Sequence, residues 1–389
     1  MKKQHQQIII SVIIFVVALA ALFGIRAWRM ASVESYLETA ELDNGLLPEV
    51  ISYDGEKYLV PPTDIYDSAE LPALTDPKFD DVYTADSYLA DDVLGIDIEI
   101  NGEHRFYSYQ ILNWHEVVND SFNGVDLAIT HCALCKSSAV YEAELDGKDL
   151  ELANSGKIYN NNQLLESKDG SLWLQLRGTA ISGKHVGEQL TEYPFQVMSW
   201  DIWSEQYPDG YALSSDTGFV RDYGMHPYQN YDNATIIYYP VSQTTNMLGT
   251  KWAVEGLEIN GDAIAFADQI MLGKMVANEV VGGINIVGFY YEALGTTLAY
   301  LADVNDQTLT FTYDWTAKTM TDDQTGSLWD VSGRAIDGEL AGTQLSRVQT
   351  KPSFWMCWYA QYTDSAVAFV EVIDTSDIEP EETTPEDAE

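Results

Sequence analysis

The stretch Thr130-His131-Cys132-Ala133-Leu134-Cys135-Lys136 sets two thiols three residues apart in a chain that has only three cysteines. Such a pair supports three chemistries. As thiolates the sulfurs hold a metal ion, with histidine completing the set. As a dithiol they exchange with other disulfides, which needs a positive neighbour or a helix N-terminus to favour the thiolate. Oxidised to each other, they staple a loop. The candidate ligands are Cys132, Cys135, His131 and His115, and two thiolates with one or two histidines suit copper or another soft metal ion, which accepts low coordination. A structural zinc site wants a second close pair, and none exists. For redox exchange the candidates are Cys132 and Cys135, with Lys136 and His131 favouring thiolate and His115 moving protons if folded nearby. Cys357 lies in the apolar run "FWMCWYA" and reads as a buried, inert core thiol.

The elements that must position this pair are mostly strands. "KSSAVYEAEL" follows Cys135 with a strand pattern, so the pair sits in a connection between strands. A thioredoxin-like site, with its thiol at a helix N-terminus, is not what this context describes. Asn101-Gly102, inside "DIEINGEHRFYSYQIL", is a hairpin signal, as is Asn260-Gly261. Short β-branched and aromatic runs separated by Gly, Asn and Asp fill much of the rest. Short helices are expected near "LNWHEVVND" and "IMLGKMVAN", and again where Trp200 and Trp203, or Trp355 and Trp358, share a helical face.

These elements occur twice. Glu99-Ile100-Asn101-Gly102 recurs as Glu258-Ile259-Asn260-Gly261, and Gln110-Ile111 as Gln269-Ile270, at one constant offset that carries Asn119 onto Asn278 and Tyr141 onto Tyr300. After a small length change, Gly-Ser-Leu-Trp, Gly178/Gly333, Ala180-Ile181/Ala335-Ile336 and Trp200/Trp355 continue the match. A register kept through glycines and tryptophans marks a duplication. The expected fold is therefore mainly β with short helices, a β-rich α+β protein of two pseudo-symmetric repeat lobes behind an N-terminal transmembrane anchor.

The second copy serves as an internal control, since positions shared by both serve the fold. His104 aligns with Ala263, Trp114 with Gly273, His115 with Lys274, His131 with Tyr290, Cys132 with Tyr291, Cys135 with Leu294, Arg177 with Ser332 and His185 with Leu340. The thiols and their histidine neighbours thus belong to one copy alone. Trp114, Arg177 and His185 join them as candidates specific to that copy.

Net charge is −41, from 61 acidic and 20 basic residues, which repels nucleic acid and anionic lipid headgroups. The uncharged run Ile8 to Ile25, "IIISVIIFVVALAALFGI", is longer than an ordinary leader's apolar region and just long enough to span, so an uncleaved anchor is expected. Large domains that follow such a segment are translocated regardless of charge, placing the chain beyond residue 30 outside the cytoplasm, at the cell surface or facing a periplasm. The expected order is an anchor at 1–30, an acidic Pro-containing strap at 31–94 and a first lobe at 95–217. A connection at 218–253 leads to the second lobe at 254–373, and an acidic disordered tail ends the chain at 374–389. Nucleophile-elbow, phosphate-loop and HExxH motifs are absent.

"LPALTDPKF" (Leu71 to Phe79), "ILNWHEVVND" (Ile111 to Asp120), the Cys-x-x-Cys before "SSAVY", "GSLW" and "RDYGMHPY" occur in one order. Together they resemble a prokaryotic family catalogued as domain of unknown function 3179, over roughly residues 60 to 373. The usual Cys-Pro-Leu-Cys of that family is here Cys132-Ala133-Leu134-Cys135, and a position commonly aromatic is His131. The resemblance supports fold and site placement and supplies no reaction. Two functions stay open: a thiol site for soft-metal binding or redox exchange, and a non-enzymatic binding or surface scaffold protein whose Cys-x-x-Cys is a structural disulfide. Its protein or small-molecule partner is not specified by the sequence.

Overall fold

The computed structural model describes residues 50–370 apart from Asp146. The apolar run Ile8–Ile25, the beginning of the acidic strap and the acidic tail lie outside the described residues. Among the described residues no helix is long and apolar enough to cross a membrane.

The chain is mainly β with few short helices. Leu94–Ile100 pairs antiparallel with Glu103–Ser108 through Asn101-Gly102, whose φ angles are 57° and 83°. Ala253–Ile259 pairs with Asp262–Ala267 through Asn260-Gly261, at 53° and 88°. Two consecutive left-handed residues are what a type I′ turn demands, and Asn-Gly adopts them at least cost.

Each hairpin runs into a short helix and then into a second antiparallel unit. Tyr109–His115 leads to Val117–Phe122, Val125–Cys132 and Ser137–Glu142, which form a three-stranded sheet. Asp268–Met271 leads to Val276–Val281, Ile284–Tyr291 and Thr296–Leu301, where Arg347–Val348 adds a fourth strand. Outer strands complete the hairpin sheets: Gln196–Ser199 lies beside Leu94–Ile100, and Lys351–Phe354 beside Ala253–Ile259. From each of these the chain passes directly into a helix, Trp200–Gln206 or Trp355–Gln361.

Those helices explain the paired tryptophans. Trp200, Trp203, Trp355 and Trp358 are all buried, because a spacing of three brings both rings of each pair to the face that meets the sheet. The packing is close enough that a Cβ on Gly256 would meet the Trp358 ring at 2.2 Å. Gly178 and Gly333 do equivalent work, since an added Cβ would strike Tyr141 at 2.6 Å and Tyr300 at 2.7 Å respectively.

Residues 51–81 add strands to the sheets of residues 94–213. Ile51–Tyr53 and Glu56–Tyr58 extend one end of a seven-stranded sheet, whose other end is Ile65–Asp67, with Asn162–Glu166 and Ala153–Tyr159 between them. Phe79–Asp81 closes the edge of the first hairpin sheet, and Leu74 bridges to Val118.

Separate apolar clusters fill the two repeats, one around Ile96, Ile98, Tyr107, Leu112 and Ile129, another around Leu257, Ile264, Phe266 and Ile286. A further cluster joins them. It contains Cys132, Leu134 and Cys135 from the first repeat, Ile158, Tyr231 of the connection, and Phe354, Met356 and Cys357 of the second.

Candidate functional site

The joining cluster is built on a turn. Cys132 ends the strand Val125–Cys132, and the chain reverses at once into Ser137–Glu142, with Cys132 opposite Ser137. Within the reversal Cys135 N–H donates to the Cys132 carbonyl at 3.2 Å. Lys136 takes the left-handed conformation that brings the chain back, at φ 49°. The Cys135 carbonyl then accepts from Phe354 N–H at 2.7 Å, so the backbone of the second repeat is tied to this turn.

The covalent partner of Cys135 is Cys357, 222 residues away, with the two Cα atoms 5.8 Å apart. Cys132 is free and fully buried, at 0% exposure. This corrects two expectations. The disulfide does not lie within the Cys-x-x-Cys, and Cys357 is no idle core thiol. The apolar helix Trp355–Gln361 delivers its cysteine to the first repeat, and the apolar surroundings that suggested inertness are the interior of the seam.

A second turn holds the disulfide from the other side. Ala153–Tyr159 and Asn162–Glu166 are joined by Asn160 and Asn161, with φ 54° and 59°. Asparagine tolerates the left-handed region better than other residues with a Cβ, so the pair forms a type I′ turn without glycine. The Asn160, Asn161 and Asn162 side chains are all buried and each spans a junction. Asn160 Nδ2 donates to Ala360 O at 3.1 Å, and its Oδ1 accepts from Ser242 N–H at 2.8 Å. Asn161 Nδ2 donates to Leu134 O at 3.1 Å and Tyr231 Oη at 3.0 Å, while its Oδ1 accepts from Tyr239 N–H at 3.1 Å. Asn162 Oδ1 accepts from Gln361 Nε2 at 3.3 Å. One hairpin turn therefore binds the Cys-x-x-Cys turn, the connection and the tryptophan helix of the second repeat.

Cys132 faces a buried carboxyl. Glu116, 3% exposed, follows the helix Tyr109–His115 in a left-handed conformation (φ 59°). Its carbonyl accepts from His131 N–H at 2.9 Å, its carboxylate from the Asn154 amide, and Asn154 Nδ2 also reaches Gln163 Oε1 at 3.2 Å. Burial raises the Glu116 carboxyl to about 8, opposed by the Asn154 amide. Burial, then the Glu116 charge, pushes the Cys132 thiol up to about 12, while backbone N–H groups of Gln163, Cys135 and Leu134 favour the thiolate. In this closed arrangement Cys132 is a protonated thiol shielded from water.

The histidines do not converge on the sulfurs. His131 and Cys132 are successive strand residues and so point to opposite faces. The His131 ring stacks on Tyr109 with centroids 3.8 Å apart, and its Nδ1 lies 3.0 Å from Ser138 Oγ. Burial first, then the Lys136 charge, holds it down to about 3. His115 is used elsewhere, with Nδ1 2.7 Å from Pro72 O and Nε2 2.7 Å from Tyr223 Oη. His185 lies between Glu188 and Asp169, at 2.8 Å and 2.9 Å, against Trp173. Trp114 Nε1 donates to Met225 O at 3.0 Å. Arg177 sits at the seam, donating to Gln361 O at 3.2 Å, its guanidinium 4.8 Å from the Tyr362 ring centroid.

The four candidate metal ligands are thus not brought together. Among the described residues no group of three or more His, Cys, Asp or Glu side chains is placed to hold a metal ion. The donor set around Cys132 does not fit copper or another soft ion, since Cys135 is bonded to Cys357 and both neighbouring histidines are otherwise occupied.

A family model described as Protein of unknown function (DUF3179) matches residues 68–365. The chain belongs to that family. The match takes in the Cys-x-x-Cys turn, the Asn160–Asn162 turn, the connection and Cys357. No curated protein and no solved structure matches the chain.

Sequence reasoning missed three parts of this site: Glu116, the asparagine turn and the covering connection. Asn160-Asn161-Asn162 between two strand patterns carried a turn signal of its own. Glu116 carried none, because a surface helix end and a buried one look alike in sequence.

Proposed function

We propose that this protein is a membrane-anchored, extracytoplasmic, non-enzymatic binding or scaffold protein. Its two copies of one β-rich unit form pseudo-symmetric lobes, and the Cys135–Cys357 bond holds them as one body. The single observation that carries this reading is that bond: it is buried, joins segments 222 residues apart and uses the cysteine that metal binding or dithiol chemistry would need. The apolar run at Ile8–Ile25 supports the anchor, and an oxidising exterior supports an oxidised Cys135–Cys357 pair. Polar contacts between the two repeats support a fixed arrangement: Lys351 Nζ donates to Leu176 O at 2.9 Å and also pairs with Glu192, and Arg347 Nη1 donates to Gln196 Oε1 at 2.7 Å.

The test is metal and thiol analysis of the full-length protein extracted in detergent without reductant. The scaffold reading expects about one free thiol per chain and no stoichiometric metal. Metal at one ion per chain that disappears in Cys132→Ser would overturn it, and so would three free thiols.

A further inference from the structure

We infer that Cys132, Cys135 and Cys357 form an internal exchange centre in which Cys132 takes over Cys135 and releases the link between the repeats. The inference rests on the scaffold reading, since the bond to be released is the one that holds the scaffold together.

Three observations carry it. The three cysteines pack in one apolar cluster, with Leu134, Ile158, Tyr231, Phe354 and Met356. Cys132 and Cys135 are the first and last residues of a hydrogen-bonded reversal, 3.2 Å from Cys135 N to Cys132 O. Such a turn holds its end Cα atoms within about 7 Å, close to the span a disulfide needs, so little backbone movement separates the two pairings. Finally, the cover over the cluster is the connection, which contributes Tyr231 and, partly buried, Tyr228, Ile237 and Tyr239. Over the cluster it is held by side chains of the asparagine turn, Tyr239 N–H on Asn161, Ser242 N–H on Asn160 and Tyr231 Oη beside Asn161 Nδ2 at 3.0 Å, while only its end, at Thr250 and Trp252, is tied by backbone bonds to Met356 and Trp355.

The step is balanced within the chain. Cys132 loses its proton, and its thiolate attacks Cys135 Sγ in line with the existing bond. A Cys132–Cys135 bond forms, the Cys135–Cys357 bond breaks, and Cys357 leaves as a thiolate that takes up a proton. One disulfide and one thiol are present before and after, so no oxidant or reductant is consumed. What changes is topology: a link across 222 residues becomes a link within one turn, and the second repeat is then held by non-covalent contacts alone.

The cover controls the step. While it is closed, burial keeps Cys132 protonated, with Tyr228 and Tyr231 near it from the connection. Moving the connection aside admits water and frees the thiol to ionise, whereupon the N–H groups of Leu134, Cys135 and Gln163 favour the thiolate.

The experiment uses the full-length protein in detergent, without oxidant or reductant, held at pH 7 and pH 9 with and without urea below the unfolding midpoint. Samples are quenched in acid, alkylated and mapped by mass spectrometry. The expected result is a first-order rise of the Cys132–Cys135 peptide with a matching rise of alkylated Cys357. The rise should be independent of protein concentration and roughly tenfold or more faster at pH 9 than at pH 7, because the thiolate fraction grows with pH below the thiol pKa. Cys132→Ser should abolish it. A Tyr239→Pro variant, which loses the N–H held by Asn161, should speed it while leaving the starting linkage intact. Persistence of Cys135–Cys357 under every condition and in Tyr239→Pro overturns the exchange, as does release of Cys357 in Cys132→Ser at the wild-type rate. Absence of Cys135–Cys357 at time zero would instead overturn the scaffold reading, so the two failures are distinct.

Discussion

The carbonyl oxygen of Asn161 lies 3.2 Å from Cys135 Sγ, and its side-chain amide 3.9 Å from Cys357 Sγ, so one turn residue touches both halves of the disulfide. The same amide holds Leu134 and Tyr231. Removing the side chain while keeping the backbone isolates this role. Asn161→Gly retains the left-handed conformation and loses three hydrogen bonds, at roughly 1 kcal/mol each. We expect a loss of about 2–4 kcal/mol in urea unfolding. Asn161→Ala should lose about 1 kcal/mol more, because its Cβ resists φ 59°.

Loss of the disulfide itself should be felt across the whole chain. Cys357→Ser, with its 222-residue separation from Cys135 undone, should lower unfolding free energy by roughly 2–5 kcal/mol. Limited proteolysis should then cut the connection first, since the bond it covers no longer holds the repeats together.

Alkylation reports the burial of Cys132. With 0% exposure and a thiol pushed up to about 12, it should resist iodoacetamide at pH 7.5 in the folded protein. One adduct per chain should appear on denaturation. Rapid labelling of the native protein at Cys132 would show that the cluster is open.

The Glu116 carboxyl gives a pH signature whose sign follows from linkage. Its folded value is raised to about 8 by burial, above the ordinary 4.5, so the folded chain holds the proton more tightly than the unfolded one. The stabilisation is complete below about pH 4.5 and is lost as pH rises to about 8. Glu255, raised to about 7, and Asp268, raised to about 8, act in the same direction. Glu116→Gln keeps an oxygen for Asn154 and removes the titration. Its unfolding free energy should match wild type near pH 4.5 and exceed it at pH 8 by on the order of 1–4 kcal/mol. Parallel pH profiles for the two proteins would contradict a buried, protonated Glu116.

Local features of the fold were legible because they are set by a few neighbouring residues. Asn101-Gly102 and Asn260-Gly261 fix their own turns, and the spacing of Trp200 and Trp203 fixes a buried helical face. The strand context of Cys132 and Cys135 was readable in the same way. The identity of Cys135's partner was not, because 222 residues of intervening chain decide which thiol arrives. Sequence proximity favoured Cys132 for that role, and an apolar setting made Cys357 look like core. Both impressions treat a buried cysteine as local, whereas here burial is where the two repeats meet. His131 shows a related error: adjacency to Cys132 suggested a shared site, yet strand alternation sends the two side chains to opposite faces.

The central claim is the pairing at the seam, and disulfide mapping tests it most directly. Protein extracted under non-reducing conditions, quenched in acid, alkylated and digested should yield the Cys135 peptide joined to the Cys357 peptide, with Cys132 alkylated. A Cys132–Cys135 link with Cys357 alkylated in the native, untreated protein, or alkylation of all three cysteines, would contradict the account.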